Sequence, residues 1–87
     1  MRSSQDPALL RALASELKAR RIGLGISQDD LAYAAGLNRT FVAKLELAAT
    51  SPSLSSLFKL SVGLNAEPWE IILAIQQRYE VELRAKP

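Results

Sequence analysis

The chain has 87 residues, of which 48% are hydrophobic and 23% charged, and its formal net charge is +2. This length allows one domain with a single hydrophobic core, and the composition is that of an ordinary globular protein. The sequence contains no cysteine and no histidine, which excludes disulfides, the usual zinc sites and hydrolases that rely on a histidine base. We therefore expect no metal, no cofactor and no enzymatic activity.

The distribution of charge is more informative than its sum. Residues 1–66 carry eight Lys or Arg against five Asp or Glu, whereas residues 67–87 carry three against four. No apolar run approaches the roughly 18–20 residues that a membrane helix needs. Arg11, Glu16 and Lys18 interrupt any signal-peptide core near the N-terminus. We expect a cytoplasmic protein that does not bind membranes.

The first predicted helix begins at Asp6-Pro7, an N-cap followed by proline at the first helical position. Residues 1–5 are expected to be loose. The apolar face of this helix is predicted to contain Leu10, Leu13 and Leu17. The same stripe continues to Arg21, a charge where the core is expected, so Arg21 needs a partner. Gly23 and Gly25 end the helix.

Two short helical patterns follow, each with its own start signal. Ser27 is an N-cap with Asp30 as its capping-box partner, and Asp29 and Asp30 both suit the positive end of the helix dipole. Gly36 is expected to take the left-handed conformation that ends helix 2, and Asn38 caps helix 3. The inward residues are predicted to be Leu31, Ala35, Phe41, Val42 and Leu45.

The last two helices are separated by a short turn. Ser53 is expected to cap helix 4, Asn65 to end it with a positive φ, and Pro68 to begin a helix 5 that runs to about residue 84. The inner face of helix 4 is predicted to be Leu54, Leu57, Phe58, Ser61 and Leu64. The chain is thus predicted to be all-α, a compact five-helix bundle that forms one domain over residues 1–87.

The segment from about 27 to 47 contains two short helices joined by a glycine turn. That arrangement lets the second helix enter the major groove of DNA. The exposed side of helix 3 is predicted to carry Arg39, Thr40, Ala43 and Lys44. A cation in the first helical turn opposes the helix dipole and lowers stability by about 0.3–1 kcal/mol. Stability alone would therefore favour an acidic residue at position 39, and this favours a DNA contact for Arg39 over a solvated surface role. For Lys44 the two interpretations are about equal.

Several ordered segments resemble one family. They are Ser27-Gln28, Leu31-Ala32, Ala35-Gly36-Leu37, the run from Asn38 to Glu46, and Pro52-Ser53-Leu54. With this helix order and spacing, the chain resembles the lambda-repressor-like helix-turn-helix regulators, of the Cro and repressor type, over about two-thirds to three-quarters of its length. The resemblance implies a DNA-binding transcriptional regulator.

The resemblance also implies roles for individual residues. Gln28 would contact a phosphate and brace helix 3, and base edges would be met by Arg39, Thr40, Ala43 and Lys44. Arg21 and Glu46 would form a structural ion pair. Further phosphate contacts are predicted for Asn38, Thr50, Ser51 and Ser53, although loop and capping chemistry accounts equally well for the last three. The chain departs from the family pattern at Leu47-Ala48-Ala49-Thr50-Ser51, where relatives often carry glycine and basic residues, so we expect weaker phosphate binding per monomer.

Helix 5 is more apolar than one packed face requires, which predicts association. A twofold dimer would use Ile72, Ile75, Tyr79 and Leu83 and would suit a palindromic operator. Alternatively, Trp69, Ile72 and Leu73 only seal the monomer core. The sequence thus predicts a homodimeric repressor that binds double-stranded DNA. The second hypothesis is an antitoxin or another interaction module whose C-terminal helix binds a protein partner.

Overall fold

A computed structural model describes residues 5–85 as five α-helices with no strand among them. The helices are α1 (Pro7–Gly23), α2 (Gln28–Ala35), α3 (Arg39–Glu46), α4 (Leu54–Gly63) and α5 (Pro68–Arg84). This confirms the predicted all-α class. The expectation for residues 1–4 lies outside the described residues.

The helix starts follow from capping side chains. The Asp6 carboxylate accepts from the backbone N–H of Ala8 and Leu9, and Ser27 and Asp30 form a reciprocal capping box. Asn38 and Ser53 cap α3 and α4 as predicted. The α5 helix begins with a capping box between Glu67 and Glu70, which the sequence analysis did not predict.

Each of the first four helices is followed by a residue in the left-handed backbone conformation, beginning with Gly25 after α1, which has φ 71°. Gly36 has φ 67° after α2 and Asn65 has φ 56° after α4, both as expected. Ala48 has φ 59° after α3. Glycine takes this conformation without a steric penalty and asparagine tolerates it better than alanine does, so the end of α3 at Ala48 is the least favourable of the four.

All five helices contribute to one core. Its most deeply buried large side chains are Leu17, Leu31, Leu45, Leu60 and Ile71. Each such side chain contributes on the order of 1.5–3 kcal/mol by leaving water. The α1 helix packs along α5, α2 packs on α4, and α3 lies against both α1 and α2.

The predicted inner face of α4 was partly wrong. Ser61 and Leu64 are buried and Leu57 packs against the core, but Leu54 and Phe58 are exposed. Leu60, absent from the prediction, is fully buried. The core side of α4 is therefore rotated from the predicted one, and Leu54, Phe58 and Val62 form an exposed apolar row at four-residue spacing.

A buried carboxylate fastens α1 to α5. Glu16 is buried, and its two oxygens accept from Nε of Arg20 and from Nε of Arg78, the latter at 2.8 Å. Near the ends of the same helices, Arg11 Nε donates to Glu82 at 2.8 Å, and the Tyr79 hydroxyl donates to Asp6. The hydrogen bond from Tyr79 to Asp6 raises the pKa of the tyrosine, and burial adds to that effect. These contacts fix the direction of α5 along α1.

Candidate nucleic-acid interface

The turn between α2 and α3 is tight and glycine-dependent. The N–H of Leu37 donates to the carbonyl of Ala32 at 2.8 Å, and Gly36 supplies the left-handed residue that lets the chain reverse. Asn38 then caps α3, its Oδ1 accepting from the N–H of Thr40 at 2.7 Å. Two short helices therefore meet at a fixed angle.

The outer side of α3 carries the side chains predicted to meet base edges. Arg39, Thr40 and Lys44 are exposed, and Ala43 is half-buried. Leu47, at the C-cap, is four residues beyond Ala43, and it extends the same side with an exposed apolar side chain. From the sequence, Leu47 was interpreted only as a missing phosphate contact, although its spacing from Ala43 was visible.

The structure brings the predicted partners Arg21 and Glu46 together in a bidentate pair. Arg21 Nε and Nη2 donate to the two oxygens of Glu46 at 2.6 and 2.9 Å, and Nη1 donates to the carbonyl of Ile26 at 2.9 Å. The side chains are 13% and 3% exposed. Gln28 Nε2 also donates to Glu46, at 3.1 Å. One carboxylate thus joins the ends of α1 and α3 to the start of α2.

These contacts also set the ionisation of the pair. Burial raises the pKa of Glu46, but hydrogen bonds from Arg21 and Gln28 and the charge of Arg21 outweigh burial and lower the pKa below its ordinary value. The hydrogen bond to Glu46 raises the pKa of Arg21 against the opposing effect of burial. The pair is charged at neutral pH, and it is a structural element with no free edge for chemistry.

The candidate phosphate ligands lie in three places. Gln28, at the start of α2, uses one N–H for Glu46, which leaves its second amide proton and its carbonyl oxygen. Thr50 is half-buried and Ser51 exposed in the loop after α3. The Ser53 hydroxyl donates to Ser56 Oγ at 3.1 Å, so a phosphate contact would have to redirect its proton. Asn38 uses its oxygen for capping, and only its amide N–H groups could donate to phosphate.

Four of the described arginines in the first 66 residues have acidic partners. Arg11, Arg20, Arg21 and Arg39 pair with Glu82, Glu16, Glu46 and Asp29 respectively. The Arg39–Asp29 pair crosses from α3 to α2 and was not predicted. Three of these pairs lie within residues 1–66, where both partners already enter the charge balance, so pairing places these cations and leaves the excess of positive charge unchanged.

The predicted dimer residues of α5 do not all lie on a free surface. Ile75 is 8% exposed and belongs to the monomer core, which leaves little of it for a partner. Tyr79 packs against that core and uses its hydroxyl on Asp6. Ile72 and Leu83 are exposed, together with Trp69 and Leu73. The alternative for helix 5 was that Trp69, Ile72 and Leu73 only seal the core, and these side chains are 64%, 43% and 47% exposed in the monomer.

The described residues contain neither a cluster of metal ligands nor a helix suited to a membrane. Between residues 5 and 85, no three His, Cys, Asp or Glu side chains lie together as metal ligands would. None of the helices in the same range has the length and apolarity to cross a membrane.

The arrangement of α2 and α3, in which the Arg21–Glu46 pair and Gln28 hold α3 and cations lie on its outer side, is that of a helix-turn-helix DNA-binding regulator. The sequence profile of the family described as "HTH_3: Helix-turn-helix" matches residues 17–71. The chain belongs to that family. A protein described as "Neisseria hypothetical transcription factor", from Neisseria meningitidis serogroup B, is 33% identical over 77 residues, which cover 87% of this chain and 73% of the relative.

Solved structures give the same result for the fold. The restriction-modification controller protein C.AhdI from Aeromonas hydrophila is 34% identical, with a TM-score of 0.69 over 71% of this chain and 94% of its own. The controller protein C.Esp1396I is 25% identical, with a TM-score of 0.76 over 84% of this chain and 95% of its own. That protein has also been solved as a tetramer in complex with its natural 35 base-pair operator.

Proposed function

We propose that this chain is a sequence-specific repressor that binds a palindromic operator as a homodimer, with α3 in the major groove. The observation that carries this proposal is the exposed side of α3. There, Arg39 and Lys44 project from a helix that the Arg21–Glu46 pair and Gln28 hold in place. A helix that is held in place and carries exposed polar side chains suits base recognition, because the helix need not change its orientation when DNA binds.

Arg39 is the central base-reading residue in this proposal. It is the first residue of α3, where its charge opposes the helix dipole. A bidentate contact with O6 and N7 of guanine contributes about 1–3 kcal/mol of discrimination, which exceeds that cost. Thr40 and Ala43 would meet a thymine methyl or a neighbouring base edge, and Lys44 a base or a phosphate.

The exposed apolar strip of α5 is the basis for the dimer. This strip, which we define as Trp69, Ile72, Leu73 and Leu83, is exposed along α5. Beside Ile72, an open groove of about 380 Å³ between α1, α4 and α5 is lined mainly by leucine, isoleucine and proline. A second copy that covers the strip and this groove would bury apolar surface and place two α3 helices on one operator.

The relatives support assembly on DNA as well. C.Esp1396I binds its operator as a tetramer, and multiple copies compensate for weak binding by each single copy. The residues between Leu47 and Ser51 offer no cation, so two linked recognition helices would be needed for useful affinity. Occlusion of a promoter by the bound dimer is the simplest means of repression for a helix-turn-helix domain.

Selection of bound sequences from a random duplex pool tests the whole proposal. The wild-type protein should enrich an inverted repeat that contains a guanine in each half-site. Arg39→Ala should lose the preference at that guanine, by about 1–3 kcal/mol per half-site, while its helical content stays unchanged. Enrichment of no sequence, or a preference that survives Arg39→Ala, would contradict the base-reading role.

Sedimentation at micromolar concentration tests the dimer. Ile72 and Val81 are 43% and 57% exposed and lie on opposite sides of α5, nine residues apart. The wild type and Val81→Glu should sediment as dimers, and Ile72→Glu as a monomer, because a charge at the contact loses its hydration. A wild-type protein that stays monomeric even with operator DNA would rule out the dimer.

A second candidate function uses the same α5 strip for a different partner. An antitoxin, or another interaction module, would cover the strip with a foreign protein instead of a second copy of this chain. Sedimentation separates the two, because the second candidate expects a monomer whose strip is covered only after a partner is added.

A further inference from the structure

The first turn of α2 contains a carboxylate that capping does not use. Asp30 makes both hydrogen bonds of the capping box with Ser27. Asp29 instead extends toward α3, where its Oδ1 lies 3.4 Å from Arg39 Nε. The side chains of Asp29 and Arg39 are 72% and 67% exposed. The contact thus lies on the protein surface beside the side of α3 that faces DNA in the proposed function.

The nitrogen that faces Asp29 decides what this contact can do. A guanidinium group is a planar fork of five N–H donors. A partner at Nε leaves the outer edge, formed by Nη1 and Nη2, available to another ligand. Within the described residues neither terminal nitrogen of Arg39 makes a hydrogen bond. Recognition of guanine needs two coplanar donors directed at O6 and N7, and that edge provides them.

We propose, on the basis of the function proposed above, that Asp29 is a positioning residue for Arg39. Its carboxylate holds the guanidinium from behind, so that Nη1 and Nη2 face the guanine edge. A free arginine at the first position of a helix samples many rotamers, and ordering them at binding lowers affinity. A contact that exists before DNA arrives removes part of that cost for the correct base.

The same carboxylate has an opposite effect on DNA in general. A negative charge beside the recognition helix repels phosphates whatever the base sequence is. Replacement of Asp29 should therefore strengthen binding to random DNA and weaken discrimination in favour of the operator. A residue that only contributed charge would change both affinities together. A residue that only supported the fold would lower both.

The test compares the dissociation constants of the selected operator and of a random duplex of equal length. For Asp29→Ala the operator-to-random ratio should fall about two- to fivefold per recognition helix, the range that exposed ion pairs provide. The affinity for random DNA should rise. Asp29→Glu keeps a carboxylate within reach and should restore most of the ratio.

A control variant and a double variant separate positioning of Arg39 from a general effect of charge. Glu82→Ala removes the same charge from the exposed pair with Arg11 on α1 and should leave the ratio unchanged. Asp29→Ala added to Arg39→Ala should cause no further loss, because the residue it positions is already absent. An unchanged ratio in Asp29→Ala, or an equal loss in the Arg39→Ala background, would overturn the inference alone. A wild type that enriches no sequence would overturn the proposed function and this inference with it.

Discussion

Glu46 is the residue on which the orientation of the recognition helix depends most. Its carboxylate accepts from Arg21 and Gln28, so its loss leaves a guanidinium that is 13% exposed without its charged partner. Glu46→Ala should lower the free energy of unfolding by about 3–5 kcal/mol, as removal of one partner of a buried pair does. Thermal or denaturant unfolding measures this loss.

The exposed Arg11–Glu82 pair is the matched control for this prediction. Its side chains are 47% and 34% exposed, so water replaces the lost partner, and Glu82→Ala should cost no more than about 1 kcal/mol. Equal effects of Glu46→Ala and Glu82→Ala would show that Glu46 is not a buried anchor.

The lowered pKa of Glu46 gives a pH dependence with a definite sign. Because its pKa in the folded state lies below the ordinary value of 4.5, the unfolded chain binds this proton first as the pH falls. The stability that Glu46 contributes is complete above pH 4.5 and declines as the pH drops through the folded pKa. Glu46→Gln should therefore have a lower stability at neutral pH and a flatter decline below pH 4.5 than the wild type.

Some of these residues could be identified from the sequence and others could not. Arg21 interrupted an apolar stripe, and a charge at a core position requires a partner, so the pair with Glu46 was predictable with the help of the family resemblance. Asp29 lies in a helix start where any acidic residue is favourable, so its contact with Arg39 had no separate signal. Ala48 gave no sign of its positive φ, because alanine is no marker of that conformation.

At the scale of the helices, α4 crosses α2 at Gly63. A methyl group on Gly63 would lie 2.9 Å from Leu31 Cδ1 and 3.2 Å from the backbone nitrogen of Ala35. Leu31 is fully buried and cannot move away freely. Gly63→Ala should therefore lower the free energy of unfolding by about 1–3 kcal/mol, the usual cost of overpacking.

Gly23 supplies the comparison for Gly63. Both glycines end a helix, but a methyl group on Gly23 would meet no atom within 4 Å, and its φ is not positive. Gly23→Ala should be neutral or stabilise by up to about 1 kcal/mol, because alanine restricts the unfolded chain more than glycine does. Unfolding curves that rank the two variants the other way would contradict the close crossing of α2 and α4.

Helix ends were predictable from the sequence, whereas the buried side of α4 was not. Ser27, Asn38 and Ser53 act through local hydrogen bonds to the next turn, so the residue types alone indicate their roles. In α4, apolar residues occur on both sides of the helix, and their spacing fits two different faces. The contact of Gly63 with α2 selects the face, and that contact joins segments distant in sequence.

On the scale of the whole molecule, charge is distributed for pairing more than for attraction of DNA. Four arginines in the first 66 residues have carboxylate partners, which a count of charges could not reveal. The sequence also could not show which apolar residues of α5 are exposed. The excess of apolar residues in α5 was visible, but Ile75, predicted for the dimer interface, faces the core. Packing against α1 decides which apolar residues remain for a partner.

The small number of cations on the outer side of α3 predicts a shallow dependence of DNA binding on salt. The outer side of α3 carries two cations per monomer, Lys44 and the base-reading Arg39, and each phosphate that a cation neutralises contributes about −0.9 to the slope of log K against log salt, so counting both gives the upper limit. A dimer should therefore give a slope no steeper than about −4. Titration of the operator at several potassium chloride concentrations measures it.

Leu47 allows the same argument to be tested by addition of charge. Leu47→Arg places a third cation on the outer side of α3 and should make the dimer slope steeper by about 2, with tighter binding to operator and random DNA alike. Val81→Arg adds the same charge near the end of α5 and should leave the slope unchanged. A wild-type slope of about −8 would show that cations outside α3 neutralise phosphates, and the recognition helix would then contribute only a part of the electrostatic affinity.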